Sequence, residues 1–319
     1  MADRPTVLVT ETLADAPARW LEQRVNLVWV GLDDEPALRE HLQTADGLLV
    51  RTYTQVDDAL LDQAPRLKVV GRAGVGLDNI DLDACQQRHI PVVYTPDANT
   101  QAVVEYVIGL MLDDYRPRTD FHDEPISAER FHALRKSEVG RQLDHSTLGI
   151  LGFGRIGKSL GRVAHAIGMN LKVCDLLPEA QLRKAVDYPF DFVNHSELYS
   201  RCDILSIHVD GRASNRHLID RTALSLLQPH CLFINAARGM LVDHDALADW
   251  LRANPAGRAI LDVHDPEPPP ADYPLYGLPN ARLLPHLASR TDQALENMSW
   301  VVRDVWAVLD GRAPHAPAR

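Results

Sequence analysis

Three side chains in the second half of the chain have the types and surroundings that a carbonyl reduction needs. They are Arg238 in Asn235-Ala236-Ala237-Arg238-Gly239, Glu267 in Asp262-Val263-His264-Asp265-Pro266-Glu267-Pro268, and His286 in Pro285-His286-Leu287-Ala288-Ser289. Each lies at or just beyond the end of a short apolar run. When hydride arrives at a carbonyl carbon, the oxygen gains negative charge and needs a proton, which an imidazolium at His286 can supply. A carboxylate at Glu267, within hydrogen-bond reach, favours the charged imidazole and orients it. The Arg238 guanidinium can grip a carboxylate in a forked geometry and polarise a ketone. Taken singly, each has a plainer reading. The chain holds 14 histidines, a glutamate beside prolines is an ordinary loop charge, and an arginine before glycine can cap a turn.

A hydride source is implied by the stretch Thr147 to Asp175, TLGILGFGRIGKSLGRVAHAIGMNLKVCD. The apolar run Leu148 to Leu151 reads as a buried strand. Gly152, Gly154 and Gly157 follow at G-x-G-x-x-G spacing, and a helical pattern with Ile156, Leu160, Val163 and Ile167 on one face comes next. Gly152 permits the tight turn, Gly154 lets a pyrophosphate approach the backbone, and Gly157 lets the helix pack on the strand. The helix N-terminus offers amides and a partial positive charge to phosphates. A second strand, Leu171 to Cys174, ends at Asp175, whose carboxylate can accept from both ribose hydroxyls. Such spacing alone also fits a glycine-rich turn. The ordered strand, glycines, helix, strand and acid point to a dinucleotide. Asp175 favours NAD over NADP, because it repels a 2′-phosphate, and Leu176 and Leu177 offer no arginine in its place.

The whole chain must position these groups. Its 319 residues suggest two domains, and 45% hydrophobic and 24% charged residues are those of a globular protein. A net charge of −11 provides no basic surface for nucleic acid. No long apolar segment or signal peptide is seen, and Cys85, Cys174, Cys202 and Cys231 are scattered without a C-x-x-C pair. A cytoplasmic protein that binds neither membrane nor metal is the expectation.

Strands are predicted at Val7 to Val9, Leu27 to Val30, Leu48 to Val50, Leu67 to Val70 and Ile90 to Val93, alternating with helices, so the first hundred residues form an α/β unit with a parallel sheet. Further strands are predicted at Asp203 to His208, Cys231 to Asn235, Ala259 to Asp262 and Arg282 to Leu284, continuing a doubly wound sheet. One helix is predicted from Gln293 to Leu309. In the first unit, the loop Gly71-Arg72-Ala73-Gly74-Val75-Gly76 follows a strand. It can hold a carboxylate on successive amides, or be an ordinary turn. Arg51, also at a strand end, can face a ligand or be a surface charge. Asn99 to Tyr115 reads as a packed helix. Residues 116–146 are charged and irregular, with helix around Ala128 to Lys136, and their length suits an arm that packs on another subunit.

Over nearly its full length the chain resembles the D-isomer-specific 2-hydroxyacid dehydrogenases. The motifs that carry this are GRAGVGLDNID at Gly71 to Asp81, LGFGRIGKSLGRVAHAIGM, NAARGMLVD at Asn235 to Asp243, the LDVHDPEP block and PHLAS. The resemblance implies a flavodoxin-like substrate domain built from both chain ends, residues 1–98 and 290–319, with a Rossmann NAD-binding domain over 99–289, usually as a homodimer. It makes Arg238 the substrate anchor, His286 the proton donor and Glu267 its partner. It gives NAD contacts to Gly152, Gly154, Arg155, Ile156, Gly157, Asp175, Val209, Ala236, Ala237, Arg238, Asp262, His286 and Ala288, with Asp262 near the carboxamide. The loop Ala73, Gly74, Val75 and Gly76 would bind the substrate carboxylate.

The substrate implied is a small 2-hydroxy or 2-keto acid. Arg51 and Arg72 resemble the basic positions of phosphoglycerate dehydrogenases, where a second anion is held. Gln55 stands where lysine is common in those enzymes, and a chain without a regulatory domain after the last helix is the expectation. A glyoxylate, hydroxypyruvate or broad 2-ketoacid reductase is the alternative, and an NAD-sensing corepressor-like binding module is the alternative of another class. Three departures stand out: Asp210 in His208-Val209-Asp210-Gly211 replaces a usual proline, His264 replaces a usual aromatic residue, and the arm lacks a frequent tryptophan.

Overall fold

A computed structural model describes residues 4–31, 33–122 and 125–318. The chain divides into two units, Met1–Asn99 with Ser289–Arg319, and Thr100–Ala288.

In the first unit five parallel strands, β1 (Thr6–Val9), β2 (Asn26–Trp29), β3 (Gly47–Val50), β4 (Val69–Arg72) and β5 (Val92–Tyr94), stand in the order β2-β1-β3-β4-β5. Val7, Leu8 and Val9 are at most 1% exposed, because helices cover both faces of the sheet. Helices start where an aspartate accepts from the amide three residues on: Asp34 from Ala37, Asp57 from Leu60, Asp81 from Ala84. The strand order reverses between β1 and β3. Their carboxyl ends, carrying Glu11 and Arg51, therefore flank the crevice where ligands gather in such sheets. The chain returns to this unit as two helices, Asp292–Ser299 and Val302–Leu309, rather than the single predicted helix. The break is local: the Trp300 amide is shared between the Glu296 and Asn297 carbonyls, which tightens the turn and redirects the chain.

The second unit holds seven parallel strands, β6 (Thr147–Leu151), β7 (Asn170–Cys174), β8 (Asp191–Phe192), β9 (Ile204–Ile207), β10 (Leu232–Asn235), β11 (Arg258–Leu261) and β12 (Ala281–Leu283), in the order β12-β11-β10-β9-β6-β7-β8. This is a doubly wound α/β sheet, with its reversal between β6 and β9. Separate apolar clusters pack on its two faces, one around Phe233, Leu247 and Trp250, the other around Val107, Met111, Phe153 and Leu160. β8 escaped the sequence reading because it is two residues long, at a sheet edge, with Asp191 exposed. The helix Ala128–Ser137 buries none of its residues. All four cysteines are buried free thiols. Among the described residues, no helix is long and apolar enough to cross a membrane.

Candidate active site

At the reversal of the second sheet, β6 runs into Gly152, which adopts φ +90. A Cβ there would lie 2.7 Å from the His208 carbonyl carbon and 2.8 Å from the Val209 nitrogen, at the end of β9. Only glycine suits both the backbone and the space. A Cβ on Gly157 would overlap the Gly152 carbonyl, so that glycine seats the helix Arg155–Ile167 on the turn. Gly154 differs: a Cβ there would meet nothing within 4 Å, and no side chain caps the helix it precedes. The helix N-terminus therefore faces open space, as a pyrophosphate requires. Asp175, after β7, accepts from the Phe153 amide at 2.5 Å and the Leu177 amide at 2.8 Å. One donor on each oxygen leaves lone pairs for ribose hydroxyls, while Leu176 is 82% exposed and carries no charge. These features fit an NAD molecule. Arg155 is exposed, and Ile156 and Val209 are half-buried around the same turn. Burial pushes the His208 imidazole down to about 4, so it is neutral beside Ser206 Oγ at 2.9 Å.

Beyond β11 and β12 the structure brings Glu267 and His286 together: Glu267 Oε2 accepts from His286 Nδ1 at 2.9 Å. Glu267 Oε1 accepts from the His264 amide, also at 2.9 Å. Burial raises the Glu267 carboxyl pKa, but the His286 contact and the His264 amide outweigh it and hold the group below the usual range. With Nδ1 committed, Nε2 is the ring atom left to exchange a proton with a ligand. His286 sits at φ +56, in the left-handed region that costs a residue with a side chain about 1 kcal/mol or more. The segment is fixed by Asp262. Its backbone carbonyl accepts from the His286 amide at 2.8 Å. Its carboxylate accepts from the Leu287 and Ala288 amides at 2.8 Å and from the Tyr106 hydroxyl at 2.9 Å. Asp262 is only 1% exposed. The group that the resemblance places at the carboxamide thus also shapes the His286 loop, together with the Ala288 amide.

Arg238 follows β10. Asn235 braces its loop, donating from Nδ2 to the Arg238 carbonyl and accepting from the Ala237 amide, while Arg238 Nη1 donates to the Ala237 carbonyl. Ala236, Ala237 and Arg238 are half-buried. Gly239 is buried, and any side chain on it would collide with the His264 carbonyl. That close approach sets the Arg238 loop against the loop of Glu267. Asp210 is held ionised chiefly by Arg212, with a smaller contribution from the Arg238 charge.

In the first unit, Glu11 organises the β3 end. Its carboxylate accepts from the amides of Arg51, Thr52, Tyr53 and Thr54 at 2.8 to 3.2 Å. Burial works against its ionisation, but those four donors win and lower its pKa. Arg51 Nη1 makes one long bond, 3.4 Å, to the Thr12 carbonyl. Burial, then the nearby Arg290 charge, lower the Arg51 pKa, while Glu11 opposes them. Beyond β4, the Arg72 guanidinium folds back on the Ala73 carbonyl at 3.0 Å. The Ala73 amide is taken by Val50 and the Gly74 amide by Arg72, and Ala73 is fully buried. Val75 and Gly76 remain as the amide donors this loop can offer to a ligand.

The family described as "D-isomer specific 2-hydroxyacid dehydrogenase, NAD binding domain" matches residues 108–288. This chain belongs to that family. Among the family's curated proteins, it is 35% identical over 293 residues to the D-3-phosphoglycerate dehydrogenase of Mycobacterium leprae, a match covering 92% of this chain and 54% of that protein. It is also 35% identical over 305 residues to the (S)-sulfolactate dehydrogenase of Chromohalobacter salexigens, covering 93% of this chain and 96% of that one. A crystal structure of a Thermus thermophilus protein superposes with a TM-score of 0.85 at 31% identity, covering 98% of this chain and all of that one. The chain spans about half the length of the phosphoglycerate dehydrogenases it matches.

As a member of this family, the chain also carries site-shaping residues that sequence reasoning missed. Glu11, Tyr106 and Gly239 shape candidate loops through partners distant in the sequence, Asn235 through the neighbouring Ala237 amide and Arg238 carbonyl, and neither Glu11 nor Tyr106 sits in a pattern that marks it. For Gly239 the signal was present, a glycine directly after the candidate arginine.

Proposed function

We propose that this chain is an NAD-dependent dehydrogenase of 2-hydroxy acids, and that its substrate carries a second anion, D-3-phosphoglycerate and 3-phosphohydroxypyruvate being the first choice. The observation that carries the reaction is the 2.9 Å contact of His286 Nδ1 with Glu267, which leaves Nε2 to move the proton. NAD, when bound, supplies or accepts the hydride at the substrate C2 carbon. In the reductive direction, His286 Nε2 gives its proton to the C2 oxygen, and Glu267 stabilises the imidazolium until then. Arg238 binds the carboxylate and polarises the C2 carbonyl. Gly152, Gly154, Arg155, Ile156, Gly157 and Asp175 hold the dinucleotide, with Val209, Ala236 and Ala237 lining it. Asp262 acts by shaping the His286 segment.

In the first unit, the amides of Val75 and Gly76 are donors available to a carboxylate, and Arg72 stiffens their loop. Arg51 takes the second anion. Its support is a guanidinium with one long hydrogen bond, close enough to Arg290 for the two charges to repel. A dianionic phosphate relieves that repulsion; so does a sulfonate, and the relative matched over 96% of its length is named for sulfolactate. Arg51→Ala separates the readings. The kcat/KM for a keto acid with a phosphate or sulfonate is expected to fall about a hundredfold, and that for hydroxypyruvate less than threefold or so. Equal losses would remove the second anion and leave a glyoxylate, hydroxypyruvate or broad 2-ketoacid reductase. Binding of NADH without turnover of any keto acid would favour a sensing module. We also place the protein as a homodimer, supported by the arm's exposed pair Phe121 and Phe131, 47% and 38% exposed. Sedimentation velocity tests it.

A further inference from the structure

We propose that His264 is a positioning residue for the Glu267 and His286 pair, its imidazole tying the segment that leads into His286 to the loop that carries Glu267. The residue is 8% exposed, just beyond β11. Its Nε2 lies 2.9 Å from the carbonyl oxygen of Leu284, two residues before His286. A carbonyl only accepts, so Nε2 carries a hydrogen. Its Nδ1 lies 3.2 Å from the Tyr273 hydroxyl, which donates to it in the neutral ring. The amide of the same residue donates to Glu267 Oε1. One residue thus grips both halves of the pair.

The need for that grip is visible in the backbone. His286 holds a left-handed φ of +56, a conformation that persists only where its surroundings fix it from both sides. On the C-terminal side Asp262 holds the Leu287 and Ala288 amides. On the N-terminal side the Leu284 amide is bonded to Leu261, and the Leu284 carbonyl is held by His264. An aromatic hydrocarbon in this position fills the space but holds nothing. The titratable groups facing the ring are Tyr273, with ring centroids 5.5 Å apart, and Glu267, with His244 beyond, 5.1 Å from Tyr273.

The kinetic readout rests on the reaction proposed above; the geometry does not. The test uses the full chain with NADH and 3-phosphohydroxypyruvate, and compares His264→Phe with His264→Gln. Phenylalanine is expected to lower kcat about tenfold with the NADH Kd unchanged. It should also move the alkaline limb of the kcat profile to lower pH, since a His286 segment no longer held at the Leu284 carbonyl keeps the imidazole less firmly on Glu267. Glutamine, whose amide can donate to Leu284, is expected to restore most of the rate and the limb. A phenylalanine variant that only melts earlier, with kcat and limb unchanged, would overturn the proposal. So would a glutamine variant as impaired as phenylalanine. If the parent chain turns over no keto acid, the reaction fails and the bridge is decided by ring nitrogen-15 NMR. A His264 protonated on Nε2 supports it, and one protonated only on Nδ1 overturns it.

Discussion

A histidine that donates to a carboxylate through Nδ1 and protonates a substrate through Nε2 must carry hydrogens on both nitrogens. The Glu267 carboxylate faces Nδ1 at 2.9 Å, in a site where the Glu267 and His286 side chains are 34% and 38% exposed. Glu267→Gln keeps an acceptor for Nδ1 but removes the charge. We expect kcat for reduction to fall roughly tenfold to a hundredfold, with the alkaline limb moved to lower pH. His286→Ala should cost about a thousandfold, with NADH affinity little changed. Steady-state rates across pH, with NADH titrated by fluorescence, check both. The types and places of Arg238, Glu267 and His286 could be read from the sequence, because each lies a few residues beyond a predicted strand of a parallel sheet. The role of Asp262 could not. A carboxylate at a strand end looks the same in sequence whether or not it also holds the Tyr106 hydroxyl and two amides. Glu11 was hidden for a similar reason, since its four amide partners lie some forty residues along the chain.

Among the elements, the turn from β6 into the helix Arg155–Ile167 separates binding from folding. Gly154 faces open space, whereas a side chain on Gly157 collides with the Gly152 carbonyl. Gly154→Ala is therefore expected to leave the urea midpoint unchanged and to weaken NADH at least about tenfold by filling the pyrophosphate's place. Gly157→Ala should lower stability by about 1–3 kcal/mol. The same loss of stability in both would mean that Gly154 is not held open for a ligand. The long apolar strands and the strongly periodic helix of this unit were legible because burial on both faces leaves apolar runs. The helices Glu179–Arg183, His195–Arg201 and Arg221–Ser225 were not, being too short to show a period. The break at Trp300 was missed because the apolar pattern continues through it: Met298, Val301, Val302 and Val305 are all buried.

Across the whole molecule, stability should depend on pH through half-buried neutral histidines. Burial pushes His208 and His244 each down to about 4 from an ordinary 6.5. The unfolded chain binds their protons more readily, so this contribution is complete above pH 6.5 or so and is lost as pH falls toward 4. The full drop from 6.5 to about 4 corresponds to at most about 3 kcal/mol for each. The lowered carboxyls of Glu11 and Glu267 act in the same direction, but only as pH falls through and below their ordinary value near 4.5. Urea midpoints should therefore drop between pH 7 and pH 5, and His244→Phe should flatten that slope; an unchanged slope would contradict it. NADH oxidation by the purified chain, followed by absorbance, tests the proposed reaction itself. The panel holds 3-phosphohydroxypyruvate, 3-sulfopyruvate, hydroxypyruvate, glyoxylate and pyruvate, with His286→Ala alongside. Turnover with preference for the phosphate-bearing acid, abolished in the variant, is the result expected. NADH binding with no turnover of any of them, or turnover that survives His286→Ala, would contradict it.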